Sequence, residues 1–166
     1  MELQIQFMEF AKLIQDARNS AFTRVNRGLI DFYWKMGEHL SRKTQEDGWD
    51  KNIMRSFSKF LGDSYPGLKS FSTQNMLRMQ QFYECYKDQP ELLALLRELR
   101  WTNNLVIFSK SKTDEEREFY IRLCINEKYS STKLKKQINS GFFERCMLTD
   151  AKAPTVIANV PESPAP

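Results

Sequence analysis

FMEFAKLIQDARNSAFTRVNRGLIDFYWKMGEHL, residues 7 to 40, places apolar side chains at Phe7, Phe10, Ile14, Ala17, Ala21, Val25, Leu29, Phe32, Met36 and Leu40. Steps of three and four residues mark one side of an α-helix, and no proline interrupts them. The stretch reads as one very long helix, or as two helices meeting near Asn19-Ser20. A single helix would exceed about 40 Å at ~1.5 Å per residue and would project past a small core unless something packed along it. Two readings stay open: a core-forming helix of its own domain, and the seam of a homodimer.

The helical period continues downstream. EDGWD at 46–50 reads as a turn, and Ile53, Met54, Phe57, Phe60 and Leu61 mark a short amphipathic helix that GDSYPG should stop. In SFSTQNMLRMQQFYECY, 70–86, Ser72 suits an N-cap. Met76, Met79, Phe82, Tyr83 and Tyr86 fall inward on that helix, while Gln74, Arg78 and Gln81 point outward. Further helices are expected over Glu91–Leu99 and from Trp101-Thr102. Thr113 with Glu116 forms a capping box ahead of EEREFYIRLCIN, which Asn126 should end in the left-handed conformation. Ser130 or Ser131 then caps a helix over 131–143, with Leu134, Ile138 and Phe142 in register. The sequence is thus expected to be all-α, a helical domain over 1–148 followed by a flexible Pro-rich tail over 149–166 that holds four of the six prolines.

Composition sets limits on function. The chain has 166 residues, 41% hydrophobic and 28% charged, which suits a folded soluble domain. Its net charge of +4 permits a polyanionic partner, and the charge is uneven. Over 126–145, Lys128, Lys133, Lys135, Lys136 and Arg145 stand against Glu127 and Glu144, a local sum of 5 − 2 = +3. Cys85, Cys124 and Cys146 show no metal or disulfide spacing, so a reducing cytoplasm is the expected setting. No apolar run is long enough to span a membrane.

Reactive clusters are sparse. His39 is the lone histidine and lies inside the first helical pattern, away from any nucleophile motif. No phosphate-cradling glycine loop occurs, and no cofactor is implied. Asp150-Ala-Lys152 is the nearest approach to a nuclease motif, but lacks the strands that would position it. The chain by itself is expected not to be an enzyme.

Two surfaces suit binding. On the helix after Ser130, the side opposite Leu134 presents Thr132, Lys133, Lys136 and Ser140, where lysines could hold phosphates of double-stranded DNA. On 72–86, Gln74 and Arg78 are residue types that read adenine and guanine edges. Both helices follow another helix and a turn, a helix-turn-helix-like arrangement, although the loop before Ser72 is long for that motif.

Four ordered blocks, NRGLIDFYWKMGEHL (26–40), FSTQNMLRMQQFYECY (71–86), LRWTNNLVIF (99–108) and EREFYIRLCINEKYSSTKLKKQINSGFFER (116–145), resemble the amino-terminal domain of the YhcG-like family. The resemblance is colinear over about residues 11–146. It implies a bacterial helical domain, of undefined function, that is joined in cis to a PD-(D/E)XK nuclease-like domain and acts on DNA. That nuclease-like domain has no counterpart within these 166 residues. The family block usually reads Trp-Ser-His where this chain has Trp101-Thr102-Asn103, so no histidine role transfers. The combined expectation is a non-catalytic DNA-binding domain that positions or regulates a nuclease. The alternative is a protein-interaction or dimerisation module built on the amino-terminal helix.

Overall fold

The computed structural model describes residues 1–21, 25–68 and 71–152. All regular structure among them is helical, with no strand, as the periodicity predicts. Met1–Asp88 and Gln89–Pro166 form two compact units.

In the first unit the long pattern resolves into α1 (Glu2–Ala21) and α2 (Val25–Asp47). Residues 22–24 at their junction lie outside the described residues. α1 folds back along α2: Lys43 Nζ donates to Gln6 Oε1 at 3.2 Å, and the Phe10 and His39 rings lie 5.6 Å apart. Phe7, Phe10, Ile14, Phe32, Met36 and Leu40 are buried as the pattern requires. Leu29 is not, being 40% exposed, because its neighbour Ile30 takes the inward position.

Gly48, with φ of 68°, ends α2, and Asp50 caps α3 (Lys51–Ser64) by accepting the Ile53 N–H at 2.9 Å. Between them Trp49 turns inward onto Phe7 (5.5 Å) and Phe57 (5.4 Å), and its indole N–H donates to Gln6 Oε1 at 3.0 Å. A buried indole with its one donor satisfied stabilises the turn from both its faces and its edge. α3 runs through Gly62 to Ser64, three residues past the expected stop. The chain leaves the helix at Tyr65, the residue that Pro66 pushes out of helical geometry.

α4 (Thr73–Tyr86) starts at the expected cap, with Asn75 N–H donating to Ser72 Oγ at 3.1 Å. Met76, Met79, Phe82 and Tyr86 are buried and Tyr83 is half-buried, while Gln74, Arg78 and Gln81 are exposed. α4 crosses α2 at Gly37. A methyl group there would meet the Met79 carbonyl oxygen, Tyr83 Cβ at 2.8 Å and the Met79 carbonyl carbon at 2.9 Å. Trp34 packs beside that contact against Phe82 (5.8 Å) and Tyr83 (5.2 Å), and Ser41 Oγ donates to Glu84 at 2.8 Å.

The second unit opens with a 3₁₀ turn at Pro90–Leu92 and one α-turn, α5 (Leu93–Leu96). The helix expected over Glu91–Leu99 thus ends early. The carbonyls of Leu96 and Leu99 are taken by the buried Asn104 amide at 3.3 and 3.4 Å. Then come α6 (Trp101–Lys110), α7 (Asp114–Glu127), α8 (Ser131–Asn139) and α9 (Phe142–Lys152). The helix expected over 131–143 is therefore two. Gly141 adopts φ of 75°, which breaks the helical path and lets Phe142 and Phe143 turn back onto Phe119 at 5.8 and 5.1 Å. α9 carries helix to Lys152, beyond the expected start of the tail at 149, and residues 153–166 of that tail lie outside the described residues.

Gly37→Ala is expected to destabilise the protein by about 3 kcal/mol, at the upper end of overpacking costs because backbone rather than a flexible side chain must yield. Gly67→Ala, where an added methyl meets nothing within 4 Å, is the matched control. Urea unfolding of the two variants checks this, and equal midpoints would contradict a close crossing.

Candidate nucleic-acid interface

Thr113 caps α7 as the sequence predicts: Glu116 N–H donates to Thr113 Oγ1 at 3.1 Å, and Glu116 Oε1 accepts the Lys112 N–H at 3.0 Å. Asp114, Glu115 and Glu116 in its first turn complement the helix dipole. Phe119, Tyr120, Ile121, Leu123 and Cys124 bury the inner side.

The left-handed residue after α7 is Lys128, with φ of 53° and ψ of 47°, and not Asn126, which stays helical. The N–H groups of Lys128 and Tyr129 both return to the Cys124 carbonyl, the latter at 3.3 Å, so two donors close the last turn. Asn's intrinsic preference for left-handed geometry is overruled by where those bonds form. Three residues, Lys128–Ser130, then separate α7 from α8. Ser130, and not Ser131, is the cap, accepting the Lys133 N–H at 3.2 Å.

Asn103 of α6 holds this turn. Its Nδ2 donates to the Tyr129 carbonyl at 3.1 Å and to Cys124 Sγ at 3.3 Å, and its Oδ1 accepts from Ser131 Oγ at 2.7 Å. Leu134, fully buried, anchors the middle of α8. Burial pushes the Cys124 thiol up to about 11, against the lowering effect of its hydrogen bonds with Tyr129 and Asn103. It is a packed, unreactive cysteine. Neither Cys85 nor Cys146 forms a disulfide.

The outward side of α8 carries Thr132, Lys133, Lys135 and Lys136, all exposed, with no acidic residue from 131 to 140. Ser140 is exposed too, but it terminates α8 and its Oγ donates to the Gln137 carbonyl at 3.1 Å. Lys133 Nζ lies 5.9 Å from the centre of the Tyr129 ring, and Gln137 Nε2 donates to Tyr129 Oη at 3.1 Å. Gln74 and Arg78, the other candidates, sit one turn apart on the exposed side of α4 in the first unit. Asn103, Tyr129 and Gln137 carry no signal in the sequence beyond residue type, since a buried asparagine and an exposed one look alike there.

Behind α8, Tyr120 is fully buried and its hydroxyl accepts the Phe143 N–H at 3.0 Å, satisfying a donor at the start of α9. Burial raises its hydroxyl well above the ordinary value near 10. Burial also raises Tyr33 and Tyr129.

His39 lines a cavity of about 300 Å³ with Glu9, Arg42, Lys43 and Glu46 in the first unit. Burial holds its imidazole below the ordinary range, toward the neutral form. Among the described residues no group of three or more His, Cys, Asp or Glu side chains could hold a metal ion, and no helix is long and apolar enough to cross a membrane.

The elements define an all-α protein whose candidate surface is a short basic helix rather than a reactive cleft. The chain belongs to the family described as the DUF1016 N-terminal domain, which matches residues 9–145 and is the amino-terminal domain of the YhcG-like family. No curated protein and no solved structure matches it.

The Tyr120 hydroxyl ionises near pH 10 in the unfolded chain and only at higher pH in the folded one. Its contribution is therefore intact below about pH 10 and is lost as pH rises from there. Tyr120→Phe is expected to lower stability by about 1 kcal/mol at neutral pH, through the orphaned Phe143 N–H. It should also flatten the fall above pH 10, and urea midpoints across pH for both proteins check both effects.

Proposed function

We propose that this is a bacterial, cytoplasmic DNA-binding domain whose α7–α8 segment acts as a helix-turn-helix, with α8 entering the major groove of double-stranded DNA. Lys133 and Lys136 hold phosphates, with Thr132 beside them at the groove. Ser140 reaches the groove only from the end of the helix. Gln74 and Arg78 are secondary contacts. In a longer protein the domain positions or regulates a nuclease-like domain in cis.

The observation that carries this reading is a concentration of positive charge, three lysines on α8 with no acidic residue from 131 to 140. Five cations elsewhere are matched within their own helices: Arg42 with Glu38, Lys43 with Asp47, Lys59 with Asp63, Arg117 with Asp114 and Arg122 with Glu118. Lys133, Lys135 and Lys136 have no such partner among the described residues. Three unneutralised lysines on one short helix, set by a three-residue turn, are what a phosphate backbone requires.

A second reading, self-association through α1, is favoured by one feature. Met1, Ile5 and Met8, at 93%, 50% and 51% exposure, form an apolar stripe on the side of α1 away from Phe7, Phe10 and Ile14. Ile5→Glu with Met8→Glu should turn a dimer into a monomer in sedimentation equilibrium. A monomeric parent protein removes this reading.

DNA binding is tested by fluorescence anisotropy with a labelled duplex across a salt series. Affinity should fall steeply with salt, and Lys133→Ala with Lys136→Ala should weaken binding to every sequence and reduce the slope by about 2. No binding at low salt, or an unchanged slope, refutes the proposal.

A further inference from the structure

We infer that Gln137, held by Tyr129, is the residue of α8 that reads a base, and that the base is adenine; this rests on the DNA-binding reading above. The polar inventory of the helix narrows the choice. Ser130 is occupied as the cap, Ser131 Oγ donates to Asn103, and Ser140 Oγ donates to the Gln137 carbonyl. Lysines act as phosphate-binding charges, and a threonine hydroxyl serves any base, so Thr132 does not discriminate.

Gln137 is different in both chemistry and posture. One Nε2 proton is committed to Tyr129 Oη at 3.1 Å, which leaves the second proton and Oε1. A side-by-side donor and acceptor match N7 and the N6 amino group of adenine in the major groove. The same ring approaches Lys133 Nζ at 5.9 Å, one helical turn earlier. A single aromatic side chain thus orients a phosphate contact and a base contact together. The tether also removes rotamer freedom that a free glutamine would lose only on binding. Gln137 is half-buried and lies about 40° around the helix from Lys133 at ~100° per residue, whereas Asn139, the other amide on α8, is exposed and lies about 120° from Lys133. No hydrogen bond tethers Asn139 among the described residues.

The test uses the full 166-residue chain and a randomised duplex pool, followed by anisotropy on a selected duplex and on copies substituted at each position. The native protein should prefer A·T at one position of the site by about ten- to hundred-fold. Gln137→Glu should move that preference to C, whose amino group a carboxylate accepts. Where the added charge prevents binding, Gln137→Ala carries the same test and should abolish the preference. Tyr129→Phe, which removes the tether and keeps the ring, should reduce it. A preference that survives Gln137→Ala, one that follows Asn139→Ala instead, or uniform binding without base preference overturns this inference while leaving DNA binding intact. Failure to bind any duplex overturns the DNA-binding reading itself.

Discussion

Asn103 is the side chain on which the candidate surface depends. Buried at 5% exposure, it joins α6 to the Tyr129 carbonyl, the Cys124 sulfur and the Ser131 hydroxyl, so three points around one turn are fixed by one amide. A buried amide is costly unless its donors and acceptor are all used, and here both ends are engaged. A leucine of similar size would fill the space but leave the Tyr129 carbonyl and Ser131 hydroxyl to find other partners. Asn103 is thereby a specifying residue more than a stabilising one: it decides where α8 starts, and so where its lysines point.

The first unit is governed by the opposite kind of constraint, a missing side chain. At Gly37 the backbones of α2 and α4 touch, and Trp34, Phe82 and Tyr83 close around the contact. Close packing of this sort leaves no slack for even one methyl group. The Phe7, Phe10, Trp49 and Phe57 cluster fills the other side of α2, and Gln6 satisfies the indole there. Helix α2 is thus clamped between an aromatic cluster and a close crossing.

The helices were legible because burial imposes a period of 3.6 on residue type, and the caps Ser72 and Thr113 were legible because their chemistry is local, as was the pair Ser130-Ser131 from which Ser130 is the cap. What escaped depends on contacts that the helical period does not encode. Gly37 reads as an ordinary helical glycine until Met79 is placed against it. Asn126 looks like the better left-handed residue until the return to the Cys124 carbonyl selects Lys128. Leu134, Ile138 and Phe142 keep perfect spacing across Gly141, so periodicity alone joined two helices that one positive φ separates. The exposure of Thr132, Lys133 and Lys136 was legible because it follows, opposite a buried row, from the same period. The hydrogen bond between Tyr129 and Gln137 was not, since it spans the end of a turn and no helical wheel includes it.

The energetics of α8 point the same way as its geometry. Lys133 in the first turn opposes the dipole, and Lys133 with Lys136 is a like-charge pair three residues apart, each effect costing some tenths of a kcal/mol, while Lys136 in the last turn suits the dipole. Helix α7 shows the arrangement that stability alone would favour, with three acidic residues in its first turn and Arg117 and Arg122 paired to Asp114 and Glu118. Two adjacent helices of one unit therefore follow opposite rules. The cations of α7 are neutralised within the fold, whereas those of α8 stay in excess and raise the free energy of the isolated domain slightly. An external anion would offset that excess, which is the physical link between the charge of α8 and the proposed phosphate contact.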